Sequence, residues 1–506
     1  MNYFIVKALE NIDIQRFLNR GSVSEQIKAS VREIVTNIKE RKLDAILEYT
    51  EKFDCVKLTK ESLKVTSEEI EKAYSKITKQ QLASIRESIK RVKAFHLKQK
   101  RALKDVILKS KEGETRLRWL ALERVGIYVP AGKAPLPSSV LMAAIPAKIA
   151  GAKEIILCSP PQKNGNIDPS ILVAANECGI KEIYKIGGAQ AIGALAYGCE
   201  LFYKVGIIVG PGNVYTAYAK QLVASEGLVK IDTLAGPSEV IVIADDTGNP
   251  SFIASDMLAQ AEHGTNSSSI CITISKKIAK EVKSQLEQQL AALPNEESVA
   301  SAISDFGAIL IAKNVGEAIN FVNKYAPEHV EIFARNSNPI ANRITNAGAV
   351  FIDTGEVFGD YGATGSNHIL PTGSAARFSS GVSVYTFMKY QFVEQMTKKA
   401  QRKQAKTVAT FARLEKLEVH ARSSELRSLA PNKLVALSDK MPTRLSSATM
   451  RTLSDTSDNR VVRNVEQSGE LRSSGSAEQR STKLTKNFVR IVNYQIYNTI
   501  KKRWKE

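Results

Sequence analysis

The chain has few of the residues that would commit it to an unusual environment. Its 506 residues include five cysteines, five histidines and two tryptophans. Cys55, Cys158, Cys178, Cys199 and Cys271 form no Cys-x-x-Cys pair, and their number is odd. That argues against a disulfide framework and for a reducing compartment. No run reaches about 18 apolar residues, so no membrane-spanning helix is expected. The first residues, MNYFIVKALENIDIQRF, carry charges where a secretory signal needs an apolar core. A cytoplasmic protein is expected. Acidic side chains are in deficit, 52 against 71 Lys and Arg, giving a net charge of +19. Such an excess raises the question of nucleic acid. Almost half of it lies in residues 431–506, and much of the rest in helical stretches such as SIKRVKAFHLKQKRALK (88–104), without a basic–aromatic motif. Solvated helix faces account for the charge, so neither nucleic acid nor membrane is expected as a partner.

What is present is apolar content, 43%, enough for several cores. Residues 1–115 read as helices, with apolar side chains three and four apart in SVREIVTNIKERKLDAILEYTEKFD. From about residue 120, β-branched runs alternate with helical segments. EIILCSP (154–160), EIYKIGG (182–188), VGIIVGPG (205–212), EVIVIADD (239–246), ICITIS (270–275), AILIAK (308–313) and AVFID (349–353) are expected strands. Strands spaced by helices make parallel βαβ units, whose ligands gather at the carboxyl ends of the strands. The pattern divides the chain into 1–115 (helical), 116–240 and 241–384 (α/β), 385–429 (helical) and 430–506. The last segment is rich in Ser, Thr and Arg and is expected to be disordered.

The scarce histidines mark the chemistry. His96, in a Lys-rich helix, reads as solvated or half-buried. In LAQAEHG, Gln260 and His263 share a helix face, with donors a zinc ion accepts; a plain helix surface is the other reading. In YAPEHVEI, Glu328 and His329 are adjacent titratable groups before a strand and could divide acid and base work; a capping Glu beside a packed His is the alternative. GDYGATGSNHILPTG places Asp360 and His368 between Gly-rich turns; Asp360 is a possible hard ligand for a metal, and a plain turn is the alternative. Glu415 and His420, in RLEKLEVHARS, read on their own as helix surface. GGAQAIG (187–193) is not GxGxxG, and no acid follows a second strand at the usual distance. Cys199, after AYG, leaves open a cysteine-based aldehyde dehydrogenase chemistry.

Together the segments GIYVPAGKAPLPSSVLMAAIPAKIAGA, KIGGAQAIGALAYG, VGPGNVYTAYAKQLV, IDTLAGPSEVIVIAD, LAQAEHG, YAPEHVEI, GDYGATGSNHILPTG and LEVHARS, in this order, resemble the histidinol dehydrogenase family over about residues 20–428. The resemblance implies an α/β fold with two incomplete Rossmann-like parallel-sheet domains of the aldehyde dehydrogenase kind, N-terminal helices and a C-terminal helical extension. It implies NAD-dependent oxidation of L-histidinol through L-histidinal to L-histidine, the last steps of histidine biosynthesis, with two NAD reduced. It also implies one Zn2+ per subunit on Gln260, His263, Asp360 and His420, with Glu328 and His329 as acid–base residues. Substrate contacts would come from Ser238, Gln260, His263, His329, Asp360, Glu415 and His420, and NAD contacts from Tyr128, Gln190 and Asn213. Family members are homodimers in which Glu415 and His420 reach the partner's site. Residues 430–506 have no counterpart in the family pattern.

Overall fold

The computed structural model describes residues 5–9, 12–18, 23–131, 134–233, 236–294 and 296–429. The segment expected to be disordered, 430–506, lies outside them. The chain forms two compact units, Met1–Gln395 and Met396–Glu506.

The first unit is built on two parallel sheets. One has five strands: β4 (Arg124–Tyr128), β5 (Glu154–Ser159), β6 (Glu182–Lys185), β7 (Ile207–Val209) and β8 (Lys230–Ile231), in the spatial order β6-β5-β4-β7-β8. The other uses β9 (Glu239–Ala244), β10 (Ser268–Thr273), β11 (Gly307–Ile311), β12 (His329–Phe333) and β13 (Ala349–Ile352) in the corresponding order, with β1 (Ile5–Ala8) added outside β11. All pairings within these two sheets are parallel. β9, β10 and β12 are buried along their whole length. That burial explains why EVIVIA and SSICIT show no polar alternation: helices cover both faces.

In each sheet the chain winds outward one way, then returns to the first strand and winds the other way. The switch points lie between β4 and β7 and between β9 and β12. At the first, Gly210 has φ +129°, and a Cβ there would collide with the Tyr128 carbonyl oxygen, so only glycine lets β7 turn this close to β4. Buried Lys220 and Asp232 lock the turn. Lys220 Nζ pairs with Asp232 Oδ1 and donates to the Gly210 carbonyl at 3.0 Å, while Gly210 N–H donates to Asp232 Oδ2 at 2.8 Å.

The structure departs from the sequence reading in several places. Segment 1–115 is not all helical: it contains β1, β2 (Val106–Ser110) and the start of β3 (Gly113–Ala121). β1 is set by a non-local partner, β11, which local periodicity cannot reveal. Residues 388–396, expected as helix, form β14 (Met388–Met396), in a three-stranded sheet ordered β14-β3-β2. Trp119 meets Tyr390 edge-on at 5.6 Å, and Arg118 donates to Gln391 at 2.9 Å. These cross-strand pairs outweigh the helical propensity of a Lys/Gln/Glu-containing segment. His96 is fully buried, not solvated; its Nδ1–H donates to the Val92 carbonyl at 2.8 Å. All five cysteines are free.

The second unit's described part is a helical hairpin, Lys398–Leu414 and Glu418–Ser428, closed on Ala405, Ala409, Ala412 and Ala421. Arg413 bridges Glu418 and Glu425 across it.

Replacing Lys220 with Met strands the Asp232 charge in the core, which costs about 3–5 kcal/mol. Urea unfolding should register that loss, and a smaller one for Lys220→Met/Asp232→Asn. Equal losses in single and double variants would contradict the pairing.

Candidate active site

Two clusters of functional side chains gather at the two switch points. The first follows the expectation for doubly wound sheets and lies at carboxyl ends. Tyr128 ends β4, and its hydroxyl accepts the Gly188 N–H at 3.2 Å. Gly187 caps the helix Gly188–Tyr197, which carries Gln190 into the interior. Gln190 is 1% exposed, and its Nε2 has no hydrogen-bond partner among the described residues. Asn213 is exposed and caps the helix Val214–Ser225, accepting from the Tyr215 and Thr216 N–H groups at 3.0 and 3.1 Å. Gly212 beside it stands where a Cβ would strike the Thr216 hydroxyl. An orphaned buried donor, two helix N-termini and bare glycine backbone fit the phosphates and amide of a dinucleotide.

The second cluster departs from the expectation: it lies at the amino ends of β9 and β12. Ser238 precedes β9, and Glu328 and His329 lead into β12. The helix Pro250–Ala261 leaves the carboxyl end of β9 and runs back, so its last turn returns Gln260 and His263 to the amino edge. The short helix Val357–Asp360 brings Asp360, and His368 Nδ1–H donates to the Asp360 carbonyl at 2.7 Å. Gln260, His263, Glu328, His329, Asp360 and His368 therefore converge. Glu415 and His420 do not belong to this unit: they lie exposed on the helical hairpin of the second.

His329 is the hub. Its Nδ1 lies 3.1 Å from Glu356 Oε2 and 3.9 Å from Glu328 Oε2, while Nε2 lies 3.9 Å from Asp360 Oδ1. Nε2 is buried without a hydrogen-bond partner among the described residues. Gln260 is fully buried; in the amide orientation that satisfies its hydrogen bonds, its NH2 donates to both Glu356 oxygens, at 2.9 and 3.1 Å, and to His329 Nδ1 at 3.1 Å.

Sequence spacing missed the acids behind these residues. Glu356 is 1% exposed, Glu331 is fully buried, and Asp256 lies beside Glu331. Glu331 Oε1 accepts the Glu356 N–H at 2.6 Å. The available signal was Glu356 four residues before Asp360 on one short helix. Desolvation holds the Glu331 and Glu356 carboxyls well above the usual range, reinforced by each group's acidic neighbours, and lifts Asp256 to about 6. Burial pushes Glu328 up to about 8 against the pull of His329, with the charges of Glu239 and Glu356 adding to the rise. His263 keeps an exposed face, yet desolvation by the surrounding protein still lowers its proton affinity, as it does for His368. A neutral imidazole, a carboxylate and an amide oxygen suit zinc, one ligand short of its usual four. Among the described residues, no group of three or more His, Cys, Asp or Glu side chains is arranged to hold a metal ion. Cys199 and the three buried thiols are poor nucleophiles: burial pushes Cys178 and Cys271 up to about 12, and raises Cys158 and Cys199.

Because Glu328 takes up its proton more readily in the folded chain, its stabilising contribution is complete below pH 4.5 and is lost as pH rises to about 8. Glu328→Gln should unfold at a higher temperature than the parent at pH 9, with chelator present, and at the same temperature at pH 4.5. Parallel profiles for the two proteins would contradict the assignment.

The family model described as histidinol dehydrogenase matches residues 18–428. The histidinol dehydrogenase of Geobacillus kaustophilus is 44% identical over 420 residues, covering 82% of this chain and 97% of that protein. That of Caldanaerobacter subterraneus is 46% identical over 413 residues, covering 81% and 94%. The crystal structure of histidinol dehydrogenase from Elizabethkingia anophelis superposes with a TM-score of 0.78 at 36% identity, covering 86% of this chain and 99% of that one. The chain belongs to the histidinol dehydrogenase family of oxidoreductases.

Proposed function

We propose that the chain is a cytoplasmic, zinc-containing, NAD-dependent histidinol dehydrogenase that oxidises L-histidinol through L-histidinal to L-histidine. The observation that carries this reading is the unpartnered His329 Nε2, buried beside Asp360 and backed by Glu356. A base held by a carboxylate on one nitrogen and open on the other is ready for a substrate hydroxyl.

Zn2+ would be held by Gln260, His263 and Asp360 with His420 of the partner subunit, and its charge would fix the substrate's imidazole and amine. NAD would lie against Tyr128, Gln190 and Asn213 and accept the hydride. Ser238 and the partner's Glu415 would complete the substrate contacts. His329 takes the hydroxyl proton in the first oxidation. Glu356, beside His329 Nδ1, fixes the ring and holds the Gln260 NH2, and the Gln260 amide oxygen would be the atom turned to the metal. Glu328, which gains its negative charge near pH 8, removes a proton from the water that adds to the aldehyde. After NADH leaves and His329 releases its proton to solvent, the resulting hydrate would give its hydride to a second NAD, with His329 again accepting the hydroxyl proton.

The dimer rests on incompleteness and on exposed apolar surface. One chain's ligand set lacks a fourth donor. On the first unit Val106, Leu108 and Phe392 are at least 60% exposed; on the second Phe411, Leu414 and Val419 are equally bare. A second copy covering these faces would bury what a lone monomer leaves wet.

His329→Asn should lower kcat for both oxidations by about 10²–10⁴-fold. Glu328→Gln should slow L-histidinal oxidation far more than L-histidinol oxidation. Equal slowing of the two steps in Glu328→Gln would remove Glu328 from water activation. A mixed dimer of His420→Ala and His263→Ala chains carries one intact site and should regain activity; no recovery would contradict the shared site.

A further inference from the structure

The five-stranded sheet has a missing part. In sheets of this order, a carboxylate just beyond the second strand hydrogen-bonds the adenosine ribose of NAD. Here the second strand of that order is β5, which ends at Ser159 and runs into Pro160 and Pro161. The first acid after it, Asp168, is already used to cap the helix Pro169–Glu177.

The structure supplies an acid from elsewhere. Asp54 is the last residue of the helix Leu43–Asp54, which stops there because Cys55 takes a left-handed conformation at φ 57°. A Cβ built on Gly187 would stand 3.1 Å from Asp54 Oδ1 and 2.7 Å from Pro160 Cβ. Asp54 and Pro160 therefore flank Gly187, where β5 and β6 end. The Asp54 charge is also felt by the Tyr128 phenol, whose hydroxyl accepts from Gly188. The carboxylate thus belongs to the same crevice as Tyr128, the Gly187–Gly188 turn and Gln190.

Asp54 Oδ2 is buried and has no hydrogen-bond partner among the described residues. A buried carboxylate oxygen left without a donor is costly. An asparagine would fill the same volume without the charge. Desolvation already raises the Asp54 carboxyl to about 6, so it is ionised at neutral pH but under-solvated. Two vicinal hydroxyls would supply the donors it lacks, whereas a phosphate monoester in their place would bring like charge against it.

We infer that Asp54 receives the adenosine ribose of NAD through its 2′- and 3′-hydroxyls and rejects the 2′-phosphate of NADP. The inference rests on the NAD reading above and adds to it the residue that sets the choice between the two cofactors.

Calorimetric titration of the full chain with ADP-ribose and with 2′-phospho-ADP-ribose tests it without turnover. The parent chain should bind ADP-ribose more tightly than its 2′-phosphorylated counterpart. Asp54→Asn should lose affinity for ADP-ribose by about tenfold or more, the weight of a charged hydrogen bond, while its affinity for the phosphorylated probe holds or rises. Asp54→Ser, with thermal unfolding as a fold check, should behave alike, and nicotinamide mononucleotide should bind all three chains equally. Unchanged ADP-ribose affinity and unchanged preference in both variants would overturn the role of Asp54 and leave the NAD reading standing. A parent chain that binds neither probe would overturn both.

Discussion

The constraint on which the second sheet's site depends is the burial of carboxyl groups around His329. Glu328, Glu331 and Glu356 lie within or beside β12 and the short helix that follows β13, each less than a tenth exposed. Water is excluded, so none of them ionises as easily as it would in solution. The acids can stay only because they share protons, backbone N–H groups and the His329 ring. That sharing fixes the ring of His329 and the amide of Gln260 at the same time, through one carboxylate, Glu356. A cation placed among these groups would relieve their mutual repulsion, which is why a metal suits the site electrostatically.

The two sheets repeat one winding pattern but use opposite edges. The β4/β7 switch point presents carboxyl ends, glycine turns and helix N-termini, the environment an anionic dinucleotide needs. The β9/β12 switch point presents amino ends, where the preceding helix Pro250–Ala261 delivers the side chains of its last turn. Helix N-termini favour anions and C-termini favour cations. The proposed division of labour between a phosphate-bearing cofactor and a metal ion would follow from that polarity.

Much of this was legible in the sequence. The unbroken apolar runs of β5, β9 and β10 announced buried parallel strands, and the flanking motifs of Gln260, His263, Glu328, His329 and Asp360 marked those residues together. What was not legible depends on contacts between distant segments. β1 is a strand only because β11 offers an edge, and β14 only because β3 does. His96 sits among lysines in sequence but on the buried stripe of its helix. Glu356, Glu331, Asp256 and Asp54 look like ordinary surface or strand acids, because nothing in local spacing says that water will be removed from them. The helical hairpin that carries Glu415 and His420 read as surface, and their exposure in a single chain agrees with that reading.

On the proposed function, this buried acid–histidine cluster is a metal-dependent centre for two successive oxidations. The most direct measurement is the amount of NADH formed per L-histidinol consumed, before and after metal removal. Two NADH per L-histidinol are expected, with loss of the reaction on adding a chelator and recovery with Zn2+. One NADH per substrate, or full turnover in the metal-stripped protein, would contradict the proposed function.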